Sequence, residues 1–146
     1  MSEVAALPAF QPLVVISVML AIKMAAVAFV TAKARFDSKV VLNPEDAPVN
    51  PGAQARSEEA ESTLRVKRAH LNDVENIPVF MFLALLFTLT GCSALAGWTY
   101  FGVYFVARTL HTIFYLRAVQ PWRTAAFAIG QLTLLGIMVQ LMMRVL

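Results

Sequence analysis

Apolar residues gather in four stretches of the chain, approximately Leu13 to Ala32, Ile77 to Leu89, Leu95 to Leu116 and Ala125 to Met143, divided by polar or proline- and glycine-containing segments. Each stretch is long enough, or extendable enough, to cross a hydrocarbon core about 30 Å thick as an α-helix. A helix also satisfies its own backbone in lipid. The pattern predicts helices over about 10–36, 58–90, 95–117 and 121–144 within one membrane domain, 1–146, and a cytoplasmic loop over about 37–57. That loop contains Asn43-Pro-Glu-Asp-Ala-Pro-Val-Asn-Pro-Gly52, which is too rich in breakers and acids to span and reads as an exposed connection. Ser57 followed by Glu58 and Glu59 resembles an N-cap with acidic residues in the first turn, so the second helix is expected to begin there. The first apolar run is too long for the core of a signal peptide, and no basic region precedes it, so it reads as a retained span.

Composition agrees. Of 146 residues, 59% are hydrophobic and 14% charged, with a mean hydropathy of +0.68, whereas a soluble domain carries about 25% charged residues. The fold class is therefore all-α: an integral membrane four-helix bundle. The formal charge of +3 suits anionic headgroups or an anionic ligand, and nothing supports nucleic-acid binding. The single cysteine, Cys92, excludes an intramolecular disulfide and sits in a short loop as a structural or incidental thiol. The connections after the first and third helices are basic, the remaining loop and both ends nearly neutral, which places both ends outside the cytoplasm.

Polar residues inside the apolar stretches carry the chemistry. In the run from Arg65 to Glu75, Arg68, Asn72 and Glu75 are spaced i, i+4, i+7 and share one helical face. Arg108, His111 and Tyr115 do the same near the end of the third helix; Thr124 and Gln131 lie one heptad apart in the fourth, next to Arg123. Lys23 stands mid-span in the first helix, its role open, and Arg35 stands where that helix leaves the membrane. Charged groups at such depth mark functional sites unless they snorkel or pair locally. Taken singly, each cluster fits a solvated helix end, a structural histidine or interhelical glue as well as it fits a ligand site. Together the clusters would line one level of the bundle, with several cations, one carboxylate and neutral donors. That set suits a small polyanion that also bears an ammonium group.

The run Arg65-Val-Lys-Arg-Ala-His-Leu-Asn-Asp-Val-Glu-Asn76, the loop Asn43-Pro-Glu-Asp-Ala47, the segment Arg108-Thr-Leu-His-Thr-Ile-Phe-Tyr115 and Pro121-x-Arg123 resemble, in order and spacing over nearly the whole chain, the motifs of the MAPEG superfamily. The likeness is greatest to its microsomal glutathione transferases. It implies a homotrimer in the endoplasmic reticulum (microsomal) or a bacterial inner membrane, with glutathione held between neighbouring subunits toward the cytoplasm. By position it assigns Arg35, Arg68, Asn72, Glu75, His111, Tyr115 and Gln131 to glutathione, with Arg108 in the same binding set. Arg123 is the expected group stabilising the thiolate, Thr124 a second donor, with His111 as the rival general base and Tyr115 as the rival hydroxyl donor; no metal is implied. The expected activity is conjugation of glutathione to hydrophobic electrophiles, a detoxification reaction, with or without peroxidase activity. In the related prostaglandin E synthase branch an arginine stands where this chain has Leu71, and a tyrosine where it has Phe127. Both departures point toward the transferases. The alternatives are a glutathione-dependent isomerase of the prostaglandin E synthase kind and a noncatalytic lipid-binding scaffold.

Overall fold

The computed structural model describes residues 3–146; Met1 and Ser2, the start of the segment that precedes the first apolar run, lie outside the described residues. A short 3-10 helix, Glu3–Ala6, leads into α1, Phe10–Ser38. The long connection then holds β1 (Val40–Val41), a 3-10 helix (Pro44–Val49) and β2 (Gln54–Ala55). It is followed by α2 (Glu61–Leu89), α3 (Ala94–Leu116) and α4 (Trp122–Val145).

The connection is more ordered than its composition predicts. Strands β1 and β2 pair in parallel, Val40 with Gln54 and Val41 with Ala55. Asn50, 5% exposed, explains why the segment folds back. Its Nδ2 donates to the Phe36 carbonyl at 2.9 Å, and its Oδ1 accepts from Lys39 Nζ at 2.7 Å, so one side chain ties the loop to the end of α1.

The start of α2 also differs from expectation. The helix begins at Glu61 behind Ala60, which offers no side-chain cap, and Ser57 is not its N-cap. Glu59 stands before the helix and is held by two cations, Arg35 and Lys67. A cap of the expected kind does open α3, where Ser93 Oγ accepts from Ala96 N at 3.2 Å.

By length and composition α1, α2 and α4 can cross a membrane. Helix α3 has 23 residues, but Arg108, Thr109, His111 and Thr112 dilute its apolar character. Helix α1 packs on α2 and α3, and α4 packs on α3 and α2. The contacts follow helical stripes: Leu13, Ile16 and Leu20 of α1 meet Ile77, Phe80, Ala84 and Phe87 of α2, Phe101 and Tyr104 of α3, and Leu134 and Ile137 of α4. At the centre the Phe80 and Tyr104 rings stack with centroids 3.8 Å apart, and Phe101 meets Phe80 edge-on at 5.9 Å. Outward-facing positions such as Ile22, Phe29, Leu95 and Leu132 are apolar and exposed, as the sides of a membrane protein are. Cys92 is buried, and burial pushes its thiol up, away from nucleophile character.

The start of α1 packs tightly against α3 at Gly97, where a Cβ would stand 2.9 Å from Pro12 Cγ and 3.0 Å from the Cβ of Ala9, the residue before the helix. Gly97→Val is therefore expected to destabilise the protein by about 1–3 kcal/mol through overpacking. A thermal melt in mild detergent measures it, and an unchanged transition would contradict this contact.

Candidate functional site

The stripe that makes the core of α2 runs Ala69, Asp73, Ile77, Phe80, Ala84 and Phe87, so a carboxylate occupies a position that packing assigns to an apolar side chain. The stripes of α1 and α3 do the same with Lys23, between Leu20 and Val27, and with Arg108, between Tyr104 and Thr112. The three charges meet. Lys23 Nζ donates to Asp73 Oδ2 at 2.5 Å and to Thr112 Oγ1 at 2.6 Å, and Arg108 Nη2 donates to Asp73 Oδ1 at 3.2 Å. Asp73 and Arg108 are 0% and 1% exposed, so water does not screen the pair.

Around this core the network widens to every α-helix. Arg108 Nη2 also donates to the Asn72 carbonyl at 3.1 Å and to Asn72 Oδ1. Tyr104 Oη donates to the Asn76 carbonyl at 3.0 Å, and Gln131 Nε2 of α4 donates to Asn76 Oδ1 at 2.6 Å. The edge of Arg108 that faces α4 is different. Its Nε and Nη1, and the buried Nδ1 of His111, meet no partner among the described residues. The Phe127 ring lies beside them, 5.7 Å from the His111 ring and 6.0 Å from Arg108 Cζ, and offers no hydroxyl.

Arg123, in the first turn of α4, lies over the Tyr115 ring at 4.7 Å. The amide of Gln120, oriented by its neighbours, accepts from Arg123 Nε at 3.1 Å and Nη2 at 2.6 Å and donates to Thr124 Oγ1 at 3.1 Å. Tyr115, Arg123 and Thr124 thus form one unit, with Gln120 as its organiser. Arg123 meets no carboxylate among the described residues.

The remaining expected residues point outward. Arg68 is exposed and pairs with exposed Glu61 at 3.3 Å; Glu75 is exposed without an ion pair among the described residues. Arg35 is bound to Glu59. Within one chain, then, the expected residues do not line a single cavity. Arg108 and His111 are buried, with Asn72 and Gln131 half-buried beside them, whereas Arg35, Arg68 and Glu75 face outward. The reason lies in the helical period: the stripe 68, 72, 75 is adjacent to the core stripe 69, 73, 77 and rotates away from it.

Sequence reasoning passed over Asp73, Asn76, Tyr104, Thr112, Gln120 and Glu59. Asp73 was legible, since a carboxylate at a core position of a membrane helix must be paired. Gln120 and Glu59 lie in connections, where no periodicity announces a contact.

Glu59 is the titrating group whose environment is most distinctive outside the helices. Burial by itself raises its pKa, but hydrogen bonds from Lys67 and Arg35 outweigh that and hold the carboxyl below its ordinary value of 4.5. A depressed folded-state pKa means that the contact contributes fully above the unfolded value and is lost as pH falls through the folded one.

A bundle of long apolar helices joined by a buried Lys–Asp–Arg cluster, with a second cationic unit at the head of α4, defines a membrane protein that carries charged groups inside its helical bundle. The chain belongs to the MAPEG family, whose family model matches residues 13–143. Its relatives include prostaglandin E synthase of Homo sapiens, 36% identical over 139 residues, 94% of this chain and 88% of that protein. Prostaglandin E synthase of Equus caballus is 38% identical over 128 residues, 87% and 81%. Microsomal glutathione S-transferase 1 of Rattus norvegicus is 40% identical over 112 residues, 74% and 72%. These relatives are enzymes, and both activities occur among them.

Removing the shared anion leaves Lys23 and Arg108 facing one another without compensation. Asp73→Ala is expected to cost about 3–5 kcal/mol, as loss of one partner from a buried pair does. Thr112→Val, which deletes the hydroxyl that accepts from Lys23 but leaves both ion pairs of Asp73 in place, should cost less, about 1.5–3 kcal/mol. Thermal unfolding in detergent orders the two, and equal effects would show that the cluster is not the centre of the network.

Proposed function

We propose that the protein is a membrane-bound glutathione transferase that conjugates the glutathione thiolate to hydrophobic electrophiles. The observation that carries this reading is Arg123: a half-buried guanidinium at the positive end of a helix, oriented by Tyr115 and Gln120, with no carboxylate partner among the described residues. A thiol with a pKa of about 8.5 is mostly protonated at neutral pH. A permanent cation beside it, reinforced by the α4 dipole, favours the anion without itself transferring a proton. Lowering the thiol pKa by about two units requires only about 2.7 kcal/mol. Thr124 adds a hydroxyl donor. Arg35, Arg68, Asn72, Glu75, Arg108, His111, Tyr115 and Gln131 bind the rest of the tripeptide: cations for its carboxylates, Glu75 for its ammonium group, and amides for its backbone. The chemistry is direct attack by the thiolate on an electrophile entering from the bilayer.

The reading includes four membrane spans, with α3 as the fourth, a homotrimer, and a site facing the cytoplasm. Its support is the exposure of Glu75 in the middle of α2 and of Arg68 one face away from the core. Charges at that depth need cover from another chain or from a ligand.

A second reading, a glutathione-dependent isomerase of the prostaglandin E synthase kind, is favoured by the long alignments with those enzymes, 94% of this chain for the human one. Phe127 and Leu71 weigh against it. Phe127 lies against His111 and Arg108, where a tyrosine would supply a hydroxyl to the site and phenylalanine supplies none.

The deciding experiment is an activity panel with glutathione and aryl halides, alkenals, lipid hydroperoxides and a prostaglandin endoperoxide. Conjugation of the first two is the expected result. Isomerisation alone selects the second reading, and no turnover with tight lipid binding selects a scaffold. Titration of thiolate absorbance in the glutathione complex should show Arg123→Leu raising the thiol pKa by about two units. An unchanged pKa in a variant that still binds glutathione removes Arg123 from this role. Native mass spectrometry from mild detergent is expected to give three chains; a persistent, active monomer contradicts the shared site.

A further inference from the structure

Arg35 leaves the membrane in the last turn of α1, and its guanidinium is already engaged. Glu59 Oε1 accepts from Arg35 Nε at 3.0 Å and lies 2.9 Å from Nη2, while Oε2 accepts from Lys67 Nζ at 3.0 Å. An ordinary surface pair frays into water at both ends. Here the anion is enclosed, with its side chain 6% exposed, while Arg35 and Lys67 are 51% and 48% exposed. The edge that Glu59 occupies, Nε with one Nη, is the edge through which arginine takes a carboxylate in bidentate fashion. Both residues stand in the wall of a cavity of about 350 Å³ formed with Phe36, Val40, Asn43 and Asp46.

We propose that Glu59 sets the affinity of the glutathione site: its carboxylate holds the Arg35 fork in the free protein, and a ligand carboxylate takes Arg35 by displacing it. The inference rests on the glutathione reading above and concerns the same site. Displacement does not strand a charge, because Glu59 keeps Lys67 as its partner through Oε2. One of its two ion pairs is exchanged for an equivalent one, so the exchange costs little and is reversible. It also has a structural consequence. Glu59 is the last anchored side chain before α2, so its release from Arg35 frees the junction between the connection and the Glu61 end of the helix from α1. A ligand that lacks a carboxylate for Arg35 has nothing with which to displace Glu59, and the free-state pairing then selects against it.

The test is a double-mutant cycle on the full-length protein in nanodiscs, with glutathione affinity read by calorimetry for the parent, Glu59→Gln, Arg35→Gln and the double variant. Glu59→Gln removes the competitor with little change of shape and is expected to tighten binding about two- to fivefold, the equivalent of a partly exposed ion pair. Arg35→Gln should weaken binding, and adding Glu59→Gln to it should change nothing further. Glu59→Asp keeps the charge but is one methylene too short to hold both cations, and should tighten binding by a smaller factor. That variant also serves if Glu59→Gln does not fold. Unchanged or weaker binding in folded Glu59→Gln or Glu59→Asp overturns the proposal. So does an equal gain in the Arg35→Gln background, because the gain then reflects net charge alone. A parent that does not bind glutathione defeats the glutathione reading itself, whereas failure confined to the Glu59 variants leaves that reading standing.

Discussion

Asp73 is the constraint on which the rest of the structure depends. Two cations, Lys23 from α1 and Arg108 from α3, converge on one carboxylate from α2 at 2.5 and 3.2 Å. A charge buried at this depth is tolerable only when paired and fully hydrogen-bonded. The Coulombic gain is greatest in one relative position of the three helices and falls away with any slip along their axes. The cluster therefore sets helix register more sharply than the surrounding Leu, Ile and Phe contacts, which can trade neighbours at little cost.

Register at Asp73 determines what the neighbouring positions present. With Asp73 turned inward, Asn72 lies one step round the helix, where its carbonyl and side-chain oxygen accept from Arg108. Asn76, one turn further, accepts from Tyr104 and Gln131 and so brings α4 into the same network. Glu75 and Arg68 are carried to the outer face. The division between a hydrogen-bonded interior and a charged outer face follows from a single carboxylate at a core position. Arg123 belongs to neither group. It is held from its own end of α4 by Tyr115 and Gln120, so the cation that carries the proposed chemistry is organised locally and does not share the load of the buried cluster.

The aqueous end of α1 and α2 is built on different rules. There Glu59 and Asn50, not apolar packing, hold the chain: Asn50 ties the connection to the end of α1, and Glu59 ties the entrance of α2 to it. Such contacts are directional and local, and water competes for them. The displacement of Glu59 from Arg35 proposed above would accordingly rearrange this end without disturbing the bundle.

The all-helical membrane architecture was legible in the sequence, because apolar runs of membrane length leave the backbone no other way to satisfy itself in lipid. The sequence pattern opens α2 at about residue 58, whereas the helix begins at Glu61, two residues after Glu59 pairs with Arg35 and Lys67. Lys23 and Arg108 were also visible as charges in apolar runs, and helical spacing correctly grouped Arg68, Asn72 and Glu75 on one face. Tertiary structure alone decided the rest. It assigned Asp73 as the common partner, turned Phe127 against His111, paired Arg35 with Glu59 and folded the connection back through Asn50. The physical reason is that periodicity reports which face of a helix a residue occupies, whereas partners 35 to 50 positions apart in the chain, as Asp73 is from Arg108 and Lys23, are chosen by how the helices pack.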